Sequence, residues 1–273
     1  MGYPQRMPLT VSHLYRYPLK SAAPLSLDAA DIEPRGIAGD RRWMVVSPEG
    51  RFLTGRRYPM LTLIEARPVA GGLLLSDRGG QDPLQVACPP DGGPSLPVVV
   101  WDDTTAGHLA GAAADAWLSA RLGVDCRLVY MAAPTRRQVD TRYAPEGDVV
   151  SFADGFPLLL ATDGSLADLN GRLSVPVGMA RFRPNIVVSG VAPFAEDGWS
   201  ELQIGAVVLG VVKPCARCVF TTVDPQRGER VADGEPLRTL ATYRKQAGGV
   251  MFGQNLTVRQ PGRIAVGDPV AVW

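Results

Sequence analysis

The sequence has few cysteines and histidines. Its 273 residues include four cysteines and two histidines, and only Cys215 and Cys218 lie close together in the chain. A disulfide framework needs several such pairs, so we expect a protein of a reducing compartment. A closed structural zinc site needs four ligands, and the single pair offers two of them. Both scarcities argue against a small fold held together by disulfides or zinc.

The chain also lacks excess charge and long apolar runs. Lys+Arg number 28 and Asp+Glu number 27, which argues against nucleic-acid or anionic membrane partners. No stretch approaches the 18 uncharged apolar residues of a membrane span, and residues 1–9 contain no apolar signal-peptide core. We therefore expect a cytoplasmic protein in which any anionic ligand is bound by local arginines.

Glycine and proline are abundant, with 30 and 24 residues spread evenly between short apolar runs. This spacing predicts a mainly β fold with a few helices, of the barrel or sandwich type. Helices are predicted at 110–121, ending at Gly123, at 163–170 and at 237–243. The polar stretch 134–147 is predicted to be a boundary or a mobile loop. Strands are predicted at 10–17, 26–32, 42–46, 62–68, 72–76, 84–86, 98–101, 126–130, 156–161, 185–189, 206–212, 219–223, 255–258 and 269–272.

The cysteine pair lies between the predicted strands 206–212 and 219–223. Pro214 is expected to interrupt the strand ladder, which places both cysteines on a bend where a thiolate can face a cavity. A thiolate is a soft ligand that suits a soft transition metal. Three alternatives stay open: half of a zinc site, a buried structural cysteine, and a thioredoxin-type motif, which the strand-like residues after Cys218 disfavour.

The segment KPCARCVFTTVDP, residues 213–225, resembles the thiolate-ligand segment of MOSC-domain molybdenum proteins, which include the mitochondrial amidoxime-reducing component and bacterial relatives. Four other segments carry the same resemblance in family order: YPLKS at 17–21, GDRRW at 39–43, FRPNI at 182–186 and FGQNL at 252–256. The resemblance implies an N-terminal β-barrel domain, residues 9–124, packed on a MOSC β-barrel domain, residues 125–273.

The resemblance also implies a site. Cys218 is expected to be the catalytic metal ligand, and the phosphate of a molybdopterin cofactor needs cationic forks and free N–H groups. Pro184 is expected to hold Arg183 in an extended backbone state. The alternatives are a solvated surface cluster for Lys20 and Arg41, an ion pair for Arg183, and a helix cap for Ser165. The expected cofactor-binding residues are Lys20, Ser21, Arg41, Ser165, Arg183, Asn185, Thr222, Gln254 and Asn255.

The implied function is a molybdenum-cofactor-dependent oxidoreductase with a role in detoxification. It would reduce small N-hydroxylated compounds, namely hydroxylamines, amidoximes and N-hydroxylated bases, to amines. The chain has no cysteine cluster for an iron–sulfur centre, so a separate electron donor is expected: a ferredoxin, flavoprotein or cytochrome. The alternative is a module without reductase activity that binds the cofactor or carries sulfur as a persulfide. The sequence does not identify the substrate, and residues 136–147 are a candidate lid.

Overall fold

The computed structural model describes residues 8–273, so the expected absence of a signal peptide falls mainly on residues outside the described part. Strands make up 42% of the chain and helices 16%, which confirms the predicted mainly β fold with a few helices. Among the described residues there are twenty-one strands, three α-helices and four short 3-10 segments.

The first eleven strands lie in the first half of the chain. They are β1 (Thr10–Arg16), β2 (Leu25–Leu27), β3 (Ala29–Glu33), β4 (Gly36–Ile37), β5 (Trp43–Val46), β6 (Ile64–Val69), β7 (Gly72–Asp77), β8 (Gln81–Ala87), β9 (Ser95–Val100), β10 (Asp103–Leu109) and β11 (Arg127–Tyr130). Helix α1 (Ala112–Leu122) lies between β10 and β11.

Ten further strands follow. They are β12 (Leu158–Thr162), β13 (Ile186–Ser189), β14 (Glu201–Ile204), β15 (Val207–Arg217), β16 (Val223–Asp224), β17 (Glu229–Arg230), β18 (Lys245–Gln246), β19 (Gly249–Gln260), β20 (Gly262–Ala265) and β21 (Val270–Val272). The other helices are α2 (Asp163–Asn170) and α3 (Leu237–Tyr243), and the 3-10 segments are Pro59–Leu63, Met179–Arg181, Ala195–Gly198 and Val219–Thr222.

A nine-stranded sheet forms one of the two main cores. Its order is β2-β1-β13-β12-β19-β15-β14-β21, with β18 pairing with β19, and only the β12–β13 contact is parallel. Side chains such as Leu14, Leu160 and Ile186 are almost fully buried on one face. The longest strands, β15 and β19, pair along most of their length and carry the C-x-x-C segment to one end of this sheet.

The second main core combines strands of two sheets with α1. Strands β5 and β11 of the sheet β5-β11-β10-β9, and the sheet β6-β7-β8, pack apolar side chains around Leu118 and Leu122 of that helix, while the opposite face of β5 and β11 packs with β9 in a separate cluster. Gly123 takes a left-handed conformation and its N–H bonds the carbonyl of Ser119, so the helix ends at the predicted glycine.

Strand pairing crosses the predicted division between residues 124 and 125. Strands β1 and β2 join the sheet of the second half, β3 pairs with β20, and β11 pairs with β5. The division into domains 9–124 and 125–273 stays a prediction. These exchanged strands do, however, bring residues near position 20 beside residues near position 185, which is how distant motifs meet.

Two local predictions around the cysteine pair are wrong. Pro214 does not end the ladder, because β15 continues through it to Arg217, and the register with β19 shifts on both sides of the proline. A bulge is where a strand tolerates a residue without an N–H. Residues 219–222 form a 3-10 turn rather than a strand, because the hydroxyls of Thr221 and Thr222 donate to carbonyls three residues earlier.

Candidate functional site

A cavity of about 930 Å³, including its open mouth, gathers most of the predicted site residues. Its wall combines the turn after β1, the loops after β5 and before β12, the tip of the β9–β10 hairpin, the segment before β13 and the end of β15. The predicted residues in the wall are Lys20, Ser21, Arg41, Arg183, Asn185, Cys218 and Asn255.

Cys218 reaches the cavity as a free and exposed cysteine. Strand β15 ends one residue before it, and the 3-10 turn begins one residue after it. The carbonyl of Cys218 accepts hydrogen bonds from the backbone N–H of Thr221 at 3.0 Å and from its hydroxyl at 2.9 Å. The peptide that carries the thiol is therefore fixed while the sulfur stays accessible, which contradicts the alternative of a buried structural cysteine.

No zinc-type cluster surrounds this thiol. Within residues 8–273, no three His, Cys, Asp or Glu side chains come together as a metal-binding group. A metal held by Cys218 therefore lacks a full set of such protein ligands, and another molecule has to complete its coordination. A chelating cofactor provides such ligands, whereas a protein-only zinc site does not.

Three of the predicted binding residues have strained backbones. Ser21, Arg41 and Arg183 have φ values of +69°, +46° and +56°, in the left-handed region that favours glycine. Such conformations cost on the order of 1–3 kcal/mol each and persist where the surrounding structure enforces them. The extended backbone expected for Arg183 is therefore wrong, because tertiary hydrogen bonds override the preference that Pro184 imposes.

Arg41 and Arg183 both stack on one tyrosine and are held by hydrogen bonds to backbone carbonyls. The guanidinium carbons of Arg41 and Arg183 each lie 4.2 Å from the ring centroid of the buried Tyr17. Arg183 Nη1 donates to the carbonyl of Ala22 at 2.7 Å, and Arg41 Nη2 donates to the carbonyl of Arg183 at 3.2 Å. The Tyr17 hydroxyl donates to the carbonyl of Pro184 at 3.1 Å. Both guanidinium planes are thus fixed before any ligand binds.

Asn185 and Asp40 orient Arg41 from behind. Asn185 Oδ1 accepts from Arg41 Nη1 at 2.9 Å and from the Leu159 N–H at 3.2 Å, while Nδ2 donates to the carbonyl of Tyr15. Asp40 is buried and its Oδ2 lies 2.5 Å from Arg41 Nη1. The Oδ1 atom of Asn185 is therefore fully used within the protein, and together with one Nδ2 N–H it fixes the side chain against Arg41.

Three guanidinium groups in the wall keep a buried N–H that has no partner among residues 8–273. They are Nη1 of Arg181, Nη2 of Arg183 and Nε of Arg217. Burial lowers the pKa of Arg183 to about 10, which leaves it charged at neutral pH. Arg183 and Arg217 have no carboxylate partner among the described residues, and Arg181 has only Asp224, at 3.6 Å. Unpaired donors and the positive charge of Arg183 and Arg217 make the wall chemically suited to an anion.

Lys20 and Ser21 line the same cavity but already have protein partners. Lys20 Nζ donates to the carbonyl of Phe152 at 2.7 Å and to Asp154 Oδ1 at 2.6 Å. Burial lowers the pKa of Lys20, and the nearby Asp154 opposes this shift. Ser21 Oγ accepts from the Gly55 N–H at 3.2 Å. Lys20 keeps a third donor for a ligand, and it is buried, which contradicts the alternative of a solvated lysine.

Three predicted binding residues lie outside the cavity wall. Ser165 is fully buried and its hydroxyl donates to Glu196 Oε1 at 2.7 Å, while Thr162 caps the helix. The Thr222 hydroxyl donates to the carbonyl of Val219, and Gln254 Nε2 donates to an Asp197 oxygen at 2.7 Å. Each of the three side chains thus has a hydrogen-bond partner within the protein, and none of the three lines the cavity.

Sequence reasoning missed several residues of the wall. Arg181 and Arg217 lie within two residues of predicted site positions, and each offers a free buried N–H. Trp101 has a φ of +57° at the tip of the β9–β10 hairpin, is 42% exposed, and donates from Nε1 to Asp154 at 3.2 Å. The dense arginine content of residues 181–183 and 217 was the available signal for the first two. Nothing in the sequence around Trp101 indicates that it lies in the cavity wall.

Comparison with known proteins relates both halves of the chain to one family. Residues 147–271 match the MOSC domain, and residues 8–125 match the MOSC N-terminal beta barrel domain. The chain is 39% identical to mitochondrial amidoxime-reducing component 1 of Mus musculus, over 96% of this chain and 81% of that protein. It is 35% identical to component 1 of Homo sapiens and 34% identical to component 2 of Bos taurus, over 96% of this chain and 82% of each relative.

These relatives correct one expectation. The cytoplasmic location expected from the sequence is contradicted, because the similar proteins are mitochondrial by name. That expectation was based on the lack of a signal-peptide core, of a membrane span and of a disulfide framework in the sequence. None of these features distinguishes a cytosolic protein from a mitochondrial one. Within the described residues, the structure contains no helix of the length and apolarity needed to cross a membrane.

Proposed function

The chain belongs to the MOSC-domain family, and from this premise we propose that it is a molybdenum-cofactor-dependent oxidoreductase that reduces N-hydroxylated compounds. The observation that carries the proposal is a single cavity in which the accessible thiol of Cys218 lies with three unpartnered buried guanidinium donors. The overall change consumes two electrons and two protons per N–O bond. It converts an N-hydroxyl group into the amine and releases water.

The residues of the cavity fit the cofactor. Cys218 offers a soft thiolate for molybdenum, and no competing protein-ligand cluster lies within the described residues. Arg183 and Arg217, which lack carboxylate partners, supply two positive charges that match a dianionic phosphate. Lys20 and Ser21 add donors on the neighbouring turn. When bound, the cofactor supplies the two-electron chemistry that removes oxygen from nitrogen.

The chain itself binds and orients. Tyr17 holds the guanidinium groups of Arg41 and Arg183 in fixed planes, so little side-chain entropy is lost when an anion binds. Asn185 positions Arg41, and Asn255 donates from Nδ2 to the carbonyl of Lys213, which steadies β15 near the cysteines. We assign these residues to cofactor binding as proposals.

The remaining predicted positions take a supporting role. Ser165 and Gln254 hydrogen-bond to Glu196 and Asp197, which fixes the start of α2 and the middle of β19 behind the wall. Thr222 closes the 3-10 turn that follows Cys218. Substituting them is expected to alter stability more than the binding of the cofactor.

The proposal includes the classes of substrate and of electron donor. We infer hydroxylamines, amidoximes and N-hydroxylated bases as substrates, from the resemblance and from the names of the relatives. Reduction of such compounds is a detoxification reaction. A separate ferredoxin, flavoprotein or cytochrome supplies the electrons, because the chain contains one close cysteine pair and no cluster suited to an iron–sulfur centre.

The test is turnover with a chemically reduced dye as donor and a panel of N-hydroxylated bases, amidoximes and hydroxylamines as acceptors. Protein purified with its cofactor is expected to form the corresponding amines, or amidines from the amidoximes, and Cys218→Ala is expected to form none. Sulfane sulfur on Cys218, without molybdenum and without turnover, would replace the reductase by the persulfide-carrier alternative.

A further inference from the structure

We propose that five arginines beside the mouth of the cavity form a docking surface for an acidic electron-donor protein. This surface, called the arginine face below, consists of Arg56, Arg57, Arg78, Arg227 and Arg230. The inference depends on the proposed function, because a reductase without its own second redox centre needs a place where a donor can bind.

The five residues adjoin in space although they come from three segments. The guanidinium of Arg230 donates to the backbone carbonyl of Arg56. Arg78 Nη1, after β7, donates to the carbonyl of Pro225 at 3.0 Å, in the turn that contains Arg227. Arg57 follows Arg56 directly in the chain. These two hydrogen bonds join the three segments, so the five arginines lie along one contiguous surface.

The arginine face carries more positive than negative charge. None of its five arginines pairs with an Asp or Glu among residues 8–273, and Arg57, Arg78, Arg227 and Arg230 are exposed. Elsewhere, surface arginines such as Arg67 and Arg172 have carboxylate partners. Three acidic side chains, Asp224, Glu229 and Asp233, line one pocket with Arg227 and Arg230, which leaves an excess of about two positive charges over the five arginines. In a chain whose net charge is +1, this concentration creates a local positive field that attracts an acidic surface.

The surface borders the cavity directly. Arg56 is part of the cavity wall, and its guanidinium carbon lies 4.3 Å from the ring centroid of the exposed Trp101. A protein bound to the arginine face therefore has its contact surface beside the opening that leads to Cys218. Small, wet and charge-dominated interfaces are typical of transient electron-transfer complexes. An anionic membrane or a nucleic acid would also be attracted, but neither explains why the charge lies at the cavity mouth.

The experiment uses the cofactor-loaded protein and an acidic plant-type [2Fe–2S] ferredoxin as the probe. Binding is measured by calorimetric titration, and turnover by kcat/KM for the ferredoxin, at low and at high salt. We expect kcat/KM to fall about tenfold when salt rises from about 0.05 to 0.3 M. Arg227→Glu/Arg230→Glu is expected to lower it about tenfold at low salt, and Arg227→Gln/Arg230→Gln by a smaller factor.

The matched control is Arg259→Glu/Arg263→Glu, which changes net charge equally at exposed arginines of β19 and β20. It is expected to leave the ferredoxin reaction within twofold. Turnover with a small reduced dye should be the same in all variants. An equal loss in the control variant, or no ferredoxin binding at low salt, overturns the docking surface.

Two further outcomes separate the possibilities. Dye turnover that is absent in the unaltered protein refutes the proposed function, whether or not ferredoxin binds. Binding to phosphatidylserine-containing vesicles that disappears in Arg227→Glu/Arg230→Glu, with the ferredoxin reaction unchanged, refutes the electron-donor surface and identifies a membrane surface instead. The expected result is no vesicle binding.

Discussion

Arg183→Met offers a test in which stability and cofactor binding should respond in different ways. Methionine keeps the length and the apolar stem but removes the charge. Burial lowers the pKa of Arg183 from 12.5 to about 10, which corresponds to a penalty of about 3 kcal/mol on the charged form at neutral pH. Removing the guanidinium relieves this penalty, because both pKa values lie above neutrality and the folded protein carries the full cost there.

Other losses offset the gain. The variant lacks the hydrogen bond to the carbonyl of Ala22 and the stacking on Tyr17, each worth about 1 kcal/mol. The free energy of unfolding of cofactor-free Arg183→Met should therefore lie within about 1 kcal/mol of the unaltered protein. A charge-assisted hydrogen bond to the cofactor is worth about 1.5–3 kcal/mol, so retention of the cofactor should weaken about 10- to 150-fold.

The assay combines urea unfolding of cofactor-free protein with molybdenum and pterin content of protein purified with its cofactor. Arg172→Met is the matched control, because Arg172 also stacks on a tyrosine, Tyr243, but pairs with Asp168 at the surface. It should retain the cofactor. If Arg183→Met loses several kcal/mol of stability while keeping its cofactor, the guanidinium is a structural group and the argument for an anion site is refuted.

Two other changes test the cavity and the buried network behind it. In Gly55→Ala the new Cβ would lie 2.3 Å from the ring of Phe220, so we expect a loss of about 1–3 kcal/mol in the free energy of unfolding and less bound cofactor by metal analysis. In the control variant Gly155→Ala the new Cβ meets nothing within 4 Å, so neither quantity should change. Equal effects in the two variants would contradict the prediction. Burial raises the pKa of Glu196 above its ordinary value of 4.5, so the free energy of unfolding should fall as pH rises from about 4.5 through the raised pKa. Glu196→Gln should remove that slope in urea titrations at several pH values; an unchanged slope would show that Glu196 is not its source.

Much of the fold follows from sequence periodicity. The predicted helix at 163–170 coincides with α2, because its leucines recur on one face and Thr162 caps it. The exception at residues 219–222 has a physical reason. Their β-branched side chains favour a strand, but two threonine hydroxyls bond backbone carbonyls three residues earlier and stabilise a turn.

The site was predictable only in part. The family motifs predicted Lys20, Arg41 and Arg183 as site residues, and all three lie in the cavity wall. They meet there because β1 of the first half of the chain pairs with β13 of the second half. Periodicity and motifs do not show which polar groups are satisfied inside the protein. Ser165 was predicted to bind the cofactor, but its hydroxyl donates to the buried carboxylate of Glu196. Arg181 was not predicted, although its Nη1 has no hydrogen-bond partner among the described residues.

The most direct test is the molybdenum content per chain of Cys218→Ala compared with Cys215→Ala, both purified with an adequate supply of cofactor. Both cysteines line the cavity, but Cys215 accepts a hydrogen bond from Arg217 at 2.9 Å, whereas Cys218 is exposed. We predict stoichiometric metal in the unaltered protein and in Cys215→Ala, with a loss in Cys218→Ala. Full metal content in Cys218→Ala, or none in the unaltered protein, would contradict the assignment of Cys218 as the metal ligand.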